Sequence, residues 1–320
     1  MKRIAFLTSG GDSPGMNAAI RAVVRCGIAE DMEVYGVHRG YEGLMAGDFV
    51  RMYRSDVGDI LHRGGTVLKT ARSRHFMEPG GAAKAIEVMG TLGIEGLVVM
   101  GGDGSMRGAC TLVEQGFPVM FLPCTIDNDL AYTDYTIGFD TAVNTVLDAI
   151  SKIRDTSSAH ERVTIVEVMG RECGDIALYA GMAGGAEIVL TPERMPQLSY
   201  VYNKVLAGLN RGKLHSIIIN AEGSGISSDA LEADIEAYTG KETRTVVLSY
   251  LQRGGSPSAQ DRILATFCGA KAIELLKNGE KGCAVGVRNG KVIAMDLFEA
   301  TACKKEPDMS LYELIEVLSM

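Results

Sequence analysis

Three features that would mark particular classes of protein are missing from this sequence: a C-x-x-C pair, a long apolar run and an excess of basic residues. The 7 cysteines are scattered and odd in number, which disfavours a zinc site or dithiol chemistry and predicts reduced thiols in a cytosol. No stretch approaches the roughly 18 apolar residues of a membrane span. The apolar run at residues 4–7 is too short for a signal peptide. We therefore expect a soluble, cytoplasmic protein.

Proline is also scarce, with 8 residues beside 39 glycines, while 46% of the 320 residues are apolar and 22% are charged. This balance is typical of a folded α/β enzyme, and the length exceeds one ordinary core. Lys and Arg total 32 against 40 Asp and Glu, which gives a net charge of −8. Because a net negative chain repels polyanions, we expect no nucleic-acid partner and no membrane partner.

Short apolar runs recur along the chain, and several end in glycine-rich loops. The first run, at residues 4–7, precedes Gly10 and a helical pattern that Ser13 could cap. Such runs alternate with helical stretches, which predicts βαβ units and parallel sheets, and about ten strands favour two sheets over one. Further buried strands are predicted at residues 96–100, 119–122, 163–168, 217–220, 246–248 and 284–287.

Ligands of open α/β sheets bind beyond the carboxyl ends of the strands, so the loops at these ends are the candidate site. The loop at residues 10–15 could let backbone N–H groups approach a phosphate, although such turns often serve packing alone. Asp103 lies among glycines just after a strand, where it could bind a magnesium ion on nucleotide phosphates or simply cap the next helix.

Two carboxylates follow the strand at residues 119–122. Asp127 and Asp129 are two residues apart, so in an extended segment both would point to the same side. One could accept a proton from an attacking hydroxyl while the other holds a metal, directly or through water. A solvated turn rich in Asp and Asn is the alternative, but the preceding buried strand and Ile126 argue against it.

Arginines at strand ends indicate anion binding. Arg171 and Arg253 each follow a predicted strand, and the guanidinium fork matches phosphate oxygens. Each alone is more often part of a surface ion pair. Together with Arg72, Arg162 and Arg244, they favour a site for a phosphorylated sugar.

Five motifs in this order resemble the 6-phosphofructokinase family: GGDSPGMNAAIR, GGDGS, TIDND, VEVMGR and QRGGSP. The resemblance covers essentially the whole chain, and it is strongest to the short bacterial ATP-dependent type. It implies an α/β fold with two Rossmann-like parallel-sheet domains and an active site in the cleft between them. It also implies transfer of the γ-phosphoryl group of ATP to the 1-hydroxyl of fructose 6-phosphate, with Mg²⁺.

The resemblance assigns roles residue by residue. Asp127 becomes the general base, Thr125 and Arg171 steady the transferring group, and Asp103 and Asp129 serve the metal. The ATP-binding positions are Gly11, Arg72, Ser73, Gly102, Asp103, Gly104, Ser105 and Gly108, of which Gly11 and Arg72 also belong to the catalytic set. The sugar-phosphate positions are Thr125, Asp127, Asp129, Met169, Gly170, Arg171, Glu222, Tyr250 and Arg253, joined by Arg162 and Arg244 from a neighbouring subunit.

The family pattern further implies a homotetramer and an effector site for ADP or phosphoenolpyruvate. Arg21 and Arg25 lie four residues apart on one helix face, where an anion would relieve their repulsion. The effector positions are Arg21, Arg25, Arg54, Asp59, Arg154, Gly185, Glu187, Arg211, Lys213 and His215. We expect an ATP-binding domain of residues 1–138 plus 251–301 and a sugar-phosphate domain of residues 139–250 plus 302–320.

Several positions depart from the family pattern. Gly104 is the ATP-type residue, whereas Cys124 replaces the usual glycine and would place a thiol beside the nucleotide pocket. Tyr250 replaces a histidine that contacts the 6-phosphate, and Ser55 lacks a ring for stacking on adenine. Two alternatives therefore stand beside the ATP-dependent enzyme: a pyrophosphate-dependent relative, which Gly104 disfavours, and a catalytically poor regulatory subunit that senses nucleotide.

Overall fold

The computed structural model describes residues 1–319, which form two compact units. The first unit contains residues 1–126, 130–141 and 253–305. The second contains residues 127–129, 142–252 and the chain from residue 306 to the end of its described part. Residues 127–129 thus group with the second unit, whereas the sequence-based boundaries put them in the first. Residue 320, the last of the expected sugar-phosphate domain, lies outside the described residues.

A strand lies at each of the predicted apolar runs, and further strands lie between them or beyond the last one. They are β1 (Arg3–Thr8), β2 (Glu33–Val37), β3 (Phe49–Met52), β4 (Gly96–Gly101), β5 (Val119–Thr125), β6 (Ile137–Gly138), β7 (Val163–Val168), β8 (Ile188–Leu190), β9 (Ser216–Ala221), β10 (Thr243–Val247), β11 (Gly282–Arg288) and β12 (Lys291–Asp296).

The helices alternate with these strands along most of the chain. They are α1 (Met16–Ala29), α2 (Gly40–Ala46), α3 (Gly81–Thr91), α4 (Asp103–Glu114), α5 (Phe139–His160), α6 (Asp175–Gly184), α7 (Leu198–Asn210), α8 (Ser228–Thr239), α9 (Ala259–Lys277), α10 (Leu297–Ala302) and α11 (Met309–Leu318). Two short 3₁₀ turns cover His75–Met77 and Ser249–Arg253. No helix in the described range is both long and apolar enough to cross a membrane.

The first unit is built on a mostly parallel sheet in the order β12-β11-β5-β4-β1-β2-β3, with β6 paired to β5. Only the β2–β3 and β11–β12 pairs of this sheet are antiparallel. Alternate residues of β1 enter two separate cores, because Ile4 and Phe6 belong to one and Ala5 and Leu7 to the other. Burial on both faces explains why the strand is continuously apolar.

The second unit contains a four-stranded parallel sheet in the order β10-β7-β9-β8. Its core joins β7 and β9 to α7 and α8, with Ile165, Ile218, Val201 and Leu231 among the buried side chains. The sequence-based expectation of an α/β fold with parallel sheets is confirmed.

Two local predictions are wrong. Ser13 does not cap α1: the N-cap is Gly15, in the left-handed region at φ 103° and without a side-chain cap. A side chain at Gly15 would also collide with Ile137, since its Cβ would lie 2.6 Å from that residue's Cγ2. The strand expected at residues 246–248 is the edge strand β10, which begins earlier and leaves Val247 55% exposed, because β10 pairs with β7 alone.

A buried carboxylate from α9 accepts hydrogen bonds from backbone N–H groups at the start of α5. Asp261, in the first turn of α9, accepts hydrogen bonds of 2.8 Å from the backbone N–H groups of Gly138 and Thr141, and another from the Thr141 hydroxyl. The Thr141 hydroxyl in turn accepts a hydrogen bond from Ser258 N at 2.9 Å. Burial raises the pKa of Asp261 to about 6, while these hydrogen bonds act in the opposite direction.

Candidate active site

The loop between β1 and α1 carries the first glycine motif. Gly10 is left-handed at φ 86°, so a side chain there would strain the turn. A Cβ at Gly11 would lie 3.7 Å from Cζ of Arg253, so the guanidinium of Arg253 packs against this glycine. The structure therefore places Arg253, predicted to contact the sugar phosphate, in the first unit beside the loop between β1 and α1.

The second glycine motif joins β4 to α4. Gly101 has no room for a Cβ, which would collide with the Ser105 side chain and lie 2.7 Å from Ser9 O. Gly104, in contrast, has no described atom within 4 Å of the position its Cβ would take. The two glycines thus have different roles, since one permits close packing and the other leaves open space beside the start of α4.

Tyr41 contacts the start of α4, just after the second glycine motif, and the sequence analysis did not single it out. Its hydroxyl donates to Ser105 O at 2.8 Å, and its ring stacks on Phe76 with centroids 4.1 Å apart. A Cβ at Gly108 would lie 2.9 Å from the same ring. The close approach explains the glycine at position 108.

Asp103 is the first residue of α4 and forms an ion pair one turn further along the helix. Nε of Arg107 donates to its Oδ1 at 3.2 Å, and Nη2 of Arg107 lies 3.0 Å from its Oδ2. The Asp103 side chain is 36% exposed. The carboxylate is therefore accessible, and both of its oxygens contact one guanidinium.

Arg72 and Ser73 lie in the irregular stretch before the first 3₁₀ turn. The Ser73 hydroxyl donates to Oε2 of Glu42 at 2.6 Å and accepts a hydrogen bond from Phe76 N at 3.1 Å. The hydrogen bond from Ser73 lowers the pKa of Glu42. The Arg72 side chain, in the same irregular stretch, is exposed. Glu42, which sequence reasoning did not single out, thus fixes the orientation of Ser73.

Thr125 ends β5 in the first unit and packs against the second glycine motif. A Cβ at Gly102 would lie 3.4 Å from the Cβ of Thr125. The carbonyl oxygen of Thr125 accepts a hydrogen bond from the Thr136 hydroxyl at 2.7 Å. The structure thus brings Thr125 together with the loop that carries Asp103.

Asp127 and Arg171 form an ion pair in the second unit. Nε of Arg171 lies 3.2 Å from Oδ2 of Asp127. The Asp127 side chain is 4% exposed and that of Arg171 is 49% exposed. A buried carboxylate is thereby held by a guanidinium that also faces solvent, and this arrangement can accept a proton and carry an adjacent anion.

The segment at residues 127–129 is not extended, contrary to the sequence-based expectation. Asn128 has a left-handed backbone at φ 52°, which breaks the two-residue alternation that would turn Asp127 and Asp129 to one side. The Asn128 side chain donates to Oδ2 of Asp175 at 2.7 Å, which anchors the turn to the start of α6. Asparagine tolerates this backbone conformation better than most residues.

The loop after β7 positions Met169, Gly170 and Arg171. Oε1 of Glu222 accepts hydrogen bonds from the backbone N–H groups of Gly170 at 3.2 Å and of Arg171 at 2.9 Å. The N–H of Met169 donates to the buried side chain of Gln252 at 3.2 Å. Glu222 therefore has a structural role in this loop, and Gln252 is a supporting residue that sequence reasoning missed.

The two arginines expected to serve a neighbouring subunit share an acidic residue in the second unit. Glu242 lies 3.8 Å from Nη1 of Arg162 and 3.0 Å from Nη2 of Arg244. Glu232 and Glu236 also contact Arg244. Tyr250, in the same unit, is 70% exposed.

Five of the expected effector residues line one open cavity of about 420 Å³ in the second unit. Within it, Nζ of Lys213 lies 3.2 Å from Oε1 of Glu187, and Arg154 donates to the carbonyl oxygens of Gly184 and Gly185. The five residues are Arg154, Gly185, Glu187, Lys213 and His215. The remaining expected residues are Arg211, which ends α7, and Arg21, Arg25, Arg54 and Asp59, which belong to the first unit.

Cys124, expected beside the nucleotide pocket, is buried. Its side chain is 1% exposed and packs in the same core cluster as Leu122, Ile137 and Cys268. Its position within β5 turns the side chain toward the helices on that face, and burial raises the pKa of the thiol well above its usual value.

Glycine-rich loops at the ends of parallel strands, with arginines and aspartates beside them, are typical of enzymes that act on phosphorylated substrates, and comparisons with known proteins identify the family. A family model described as phosphofructokinase matches residues 3–276, and this chain belongs to the phosphofructokinase family. It is 55% identical over 319 residues to the ATP-dependent 6-phosphofructokinase of Clostridium novyi (strain NT), with 100% of both chains covered. It is also 55% identical over 320 residues to the enzyme of that name from Bacillus cytotoxicus, again with 100% of both covered.

A solved structure of phosphofructokinase from Saccharomyces cerevisiae superimposes with a TM-score of 0.89 at 35% sequence identity. The match covers 100% of this chain and 47% of the yeast chain, so this chain spans about half the length of that protein. The family membership predicted from the five motifs is confirmed.

Proposed function

We propose that this chain is an ATP-dependent 6-phosphofructokinase, which transfers the γ-phosphoryl group of ATP to the 1-hydroxyl of fructose 6-phosphate. The products are fructose 1,6-bisphosphate and ADP, and the reaction belongs to glycolysis. The observation that carries this proposal is the buried Asp127 carboxylate held by Arg171, in a chain whose full-length relatives bear that enzyme's name.

Asp127 acts as the general base. Its carboxylate accepts the proton of the sugar hydroxyl as the oxygen attacks the γ-phosphorus, a role that contributes about 10²–10⁴-fold to the rate. Arg171 stabilises the negative charge on the transferring group, and Thr125, at the end of β5, hydrogen bonds to it. The sugar is also contacted by Met169, Gly170, Glu222, Tyr250 and Arg253.

The nucleotide binds to the loops of the first unit. Gly11, Gly102, Gly104, Ser105 and Gly108 let backbone N–H groups and the start of α4 approach the phosphates. Arg72 and Ser73 add a charge and a hydroxyl to this side. The open space at Gly104 supports ATP as the donor, since the larger residue of pyrophosphate-dependent relatives would fill it.

Magnesium suits the oxygen ligands that this chain offers. In the part of the chain that the structure describes, no three His, Cys, Asp or Glu side chains group together as metal ligands. Mg²⁺ on a nucleotide needs only one or two carboxylates, because phosphates and water complete its shell. Asp103 fits, being accessible at the start of α4, although Arg107 must release at least one of its oxygens. Asp129 is the second proposed ligand. The ion would neutralise phosphate charge.

Assembly, regulation and location complete the proposal. We assign a homotetramer in which Arg162 and Arg244 leave the carboxylate of Glu242 to contact the sugar phosphate of a neighbouring subunit. ADP or phosphoenolpyruvate binds at an effector site between subunits, which includes the cavity lined by Arg154, Gly185, Glu187, Lys213 and His215. The other proposed contacts of that site are Arg21, Arg25, Arg54, Asp59 and Arg211. The enzyme acts in the cytoplasm.

The test is a coupled assay for fructose 1,6-bisphosphate with ATP, ADP or pyrophosphate as the phosphoryl partner. We expect turnover with ATP only, and loss of at least about 10²-fold in kcat for Asp127→Ser with sugar binding retained. Asp148→Ser is the matched control, because that carboxylate is 68% exposed on α5. Turnover with pyrophosphate, binding without turnover, or a fully active Asp127→Ser enzyme would each contradict the proposal.

A further inference from the structure

The stretch that carries Arg72 has no regular structure of its own. Residues 53–74 contain neither helix nor strand, so no ladder of backbone hydrogen bonds fixes the position of this arginine. A side chain that stabilises a developing charge must nevertheless be held to within a fraction of an ångström. The contacts that hold the stretch in place therefore matter for the reaction.

Asn17 makes the most complete of these contacts. It lies in the first turn of α1, is 1% exposed, and directs its side-chain amide at the backbone of residues 63–67. Nδ2 donates to the carbonyl oxygens of Arg63 at 2.9 Å and of Gly64 at 3.2 Å. Oδ1 accepts a hydrogen bond from Val67 N at 2.9 Å. Only an amide offers two donors and an acceptor in this geometry.

Closer to Arg72, two threonines continue the attachment. The Thr8 hydroxyl, at the end of β1, donates to Lys69 O at 3.0 Å, and the Thr70 hydroxyl donates to Gly10 O at 2.8 Å. Lys69 is held in a left-handed backbone at φ 59°. Such a conformation is strained for a residue other than glycine and persists only where the surroundings enforce it, so the chain just before Arg72 is tightly constrained.

The same stretch also contacts the loop that follows Arg253. A Cβ at Gly64 would collide with Gly255 O, and the Ser256 hydroxyl donates to His62 O at 2.7 Å. Asn17 therefore holds residues 63–67 through three hydrogen bonds, and residues 255–256 contact the adjoining residues 62 and 64. All of these residues belong to the first unit.

We propose that Asn17 is a positioning residue for the phosphoryl transfer, which fixes residues 63–67 so that Arg72 is presented in its active geometry. The inference rests on the role of Arg72 in the proposed function. It assigns Asn17 no contact with substrate. Its effect on the rate is exerted through Arg72, and an effect of this kind is measurable as coupling between the two residues.

The experiment is a double-mutant cycle of Asn17→Asp and Arg72→Ala, with kcat and the KM for ATP measured for each enzyme. The aspartate is nearly isosteric but would face two carbonyl oxygens without a donor. We expect Asn17→Asp to lower kcat by about 10- to 100-fold. In the Arg72→Ala background, the same substitution should lower kcat by less than about twofold. Trypsin should also cleave the Asn17→Asp protein faster at Arg63, Lys69 or Arg72.

Thr70→Val is a second, milder variant, which removes the hydrogen bond from Thr70 to Gly10 O. It should lower kcat by a smaller factor than Asn17→Asp, and that loss should likewise shrink in the Arg72→Ala background. It carries the test if Asn17→Asp fails to fold. Val24→Ala is the matched control, because Val24 is a fully buried residue of the same helix outside these contacts. It should lower Tm without the loss of kcat.

The outcomes separate the inference from the function it rests on. If Asn17→Asp and Thr70→Val both keep the parental kcat, the role of Asn17 is wrong. It is also wrong if Asn17→Asp lowers kcat as much in the Arg72→Ala background as in the parent. Neither result touches the proposed role of Arg72. Parental kcat in Arg72→Ala overturns the role of Arg72, and the inference with it.

Discussion

Arg171 holds the carboxylate of Asp127 at 3.2 Å although one side chain is half exposed and the other is buried. The pair thus joins a buried carboxylate to a guanidinium that also faces solvent. Replacing the cation leaves the carboxylate without this partner while leaving the backbone of the loop unchanged.

We expect Arg171→Gln to lower kcat by about 10²–10³-fold, because the charge that stabilises the transferring group is lost. Arg171→Lys should restore part of the rate, since it returns the charge without the planar fork. Steady-state kinetics measures both. Arg194→Gln is the control, because Arg194 is a partly exposed arginine of the same unit that pairs with Glu316 at 2.9 Å. A kcat for Arg171→Gln close to that of the control would disprove the assignment.

The buried carboxylate of Asp261 predicts a pH dependence of stability. Its pKa rises from 3.8 to about 6 in the folded protein. The folded state therefore binds more protons than the unfolded state between these values. The stabilisation is fully present below about pH 4 and is lost as the pH rises through about 6, by up to about 3 kcal/mol.

Urea unfolding from pH 4.5 to 7.5 of the parent and of Asp261→Asn measures this effect. The absolute stabilities will differ, because Asn accepts fewer hydrogen bonds from Gly138 and Thr141, so the slopes are compared. We expect the free energy of unfolding of the parent, relative to the variant, to fall across this range. Parallel slopes would show that Asp261 does not titrate there.

Tyr250 predicts weak binding of the sugar phosphate. This residue is 70% exposed, and a tyrosine hydroxyl offers a phosphate a hydrogen bond without the positive charge that a protonated histidine supplies. Tyr250→His should lower the half-saturating concentration of fructose 6-phosphate by about threefold to tenfold, because hydrogen bonds to charged partners are stronger. The gain should be larger at pH 6 than at pH 8. Tyr238→His, at a tyrosine that is 53% exposed on α8, should leave that concentration unchanged. Equal values for parent and Tyr250→His would rule out this contact.

The sequence predicts the strands well because most are buried on both faces. Continuous apolar runs such as that of β1 have few other stable environments. The edge strand β10 is the exception, since its exposed residues weaken the pattern at its end. Ser13 illustrates a second limit: a good capping residue is not used when the following Pro14 and Gly15 start the helix elsewhere.

The motifs predict which residues belong to the candidate site but not how each is held. The sequence offers a turn at residues 127–129 only as the alternative, because the hydrogen bond that anchors it joins Asn128 to Asp175, 47 residues further along the chain. Glu222 is in the expected set, yet its hydrogen bonds go to backbone N–H groups of the neighbouring loop. Tyr41 lies outside the motifs, and Gln252 lies within QRGGSP without a role of its own, because the partners of both residues are brought to them only by folding.

The depth at which Cys124 and Cys268 lie has a chemical consequence of its own. Burial raises the pKa of Cys268 to about 12, and that of Cys124 also rises well above its usual value. Since the thiolate is the nucleophile in thiol chemistry, both sulfurs are nearly inert at neutral pH. Alkylating reagents and peroxides should therefore leave these two thiols untouched while the chain is folded. Labelling of these two positions would report unfolding rather than reactivity.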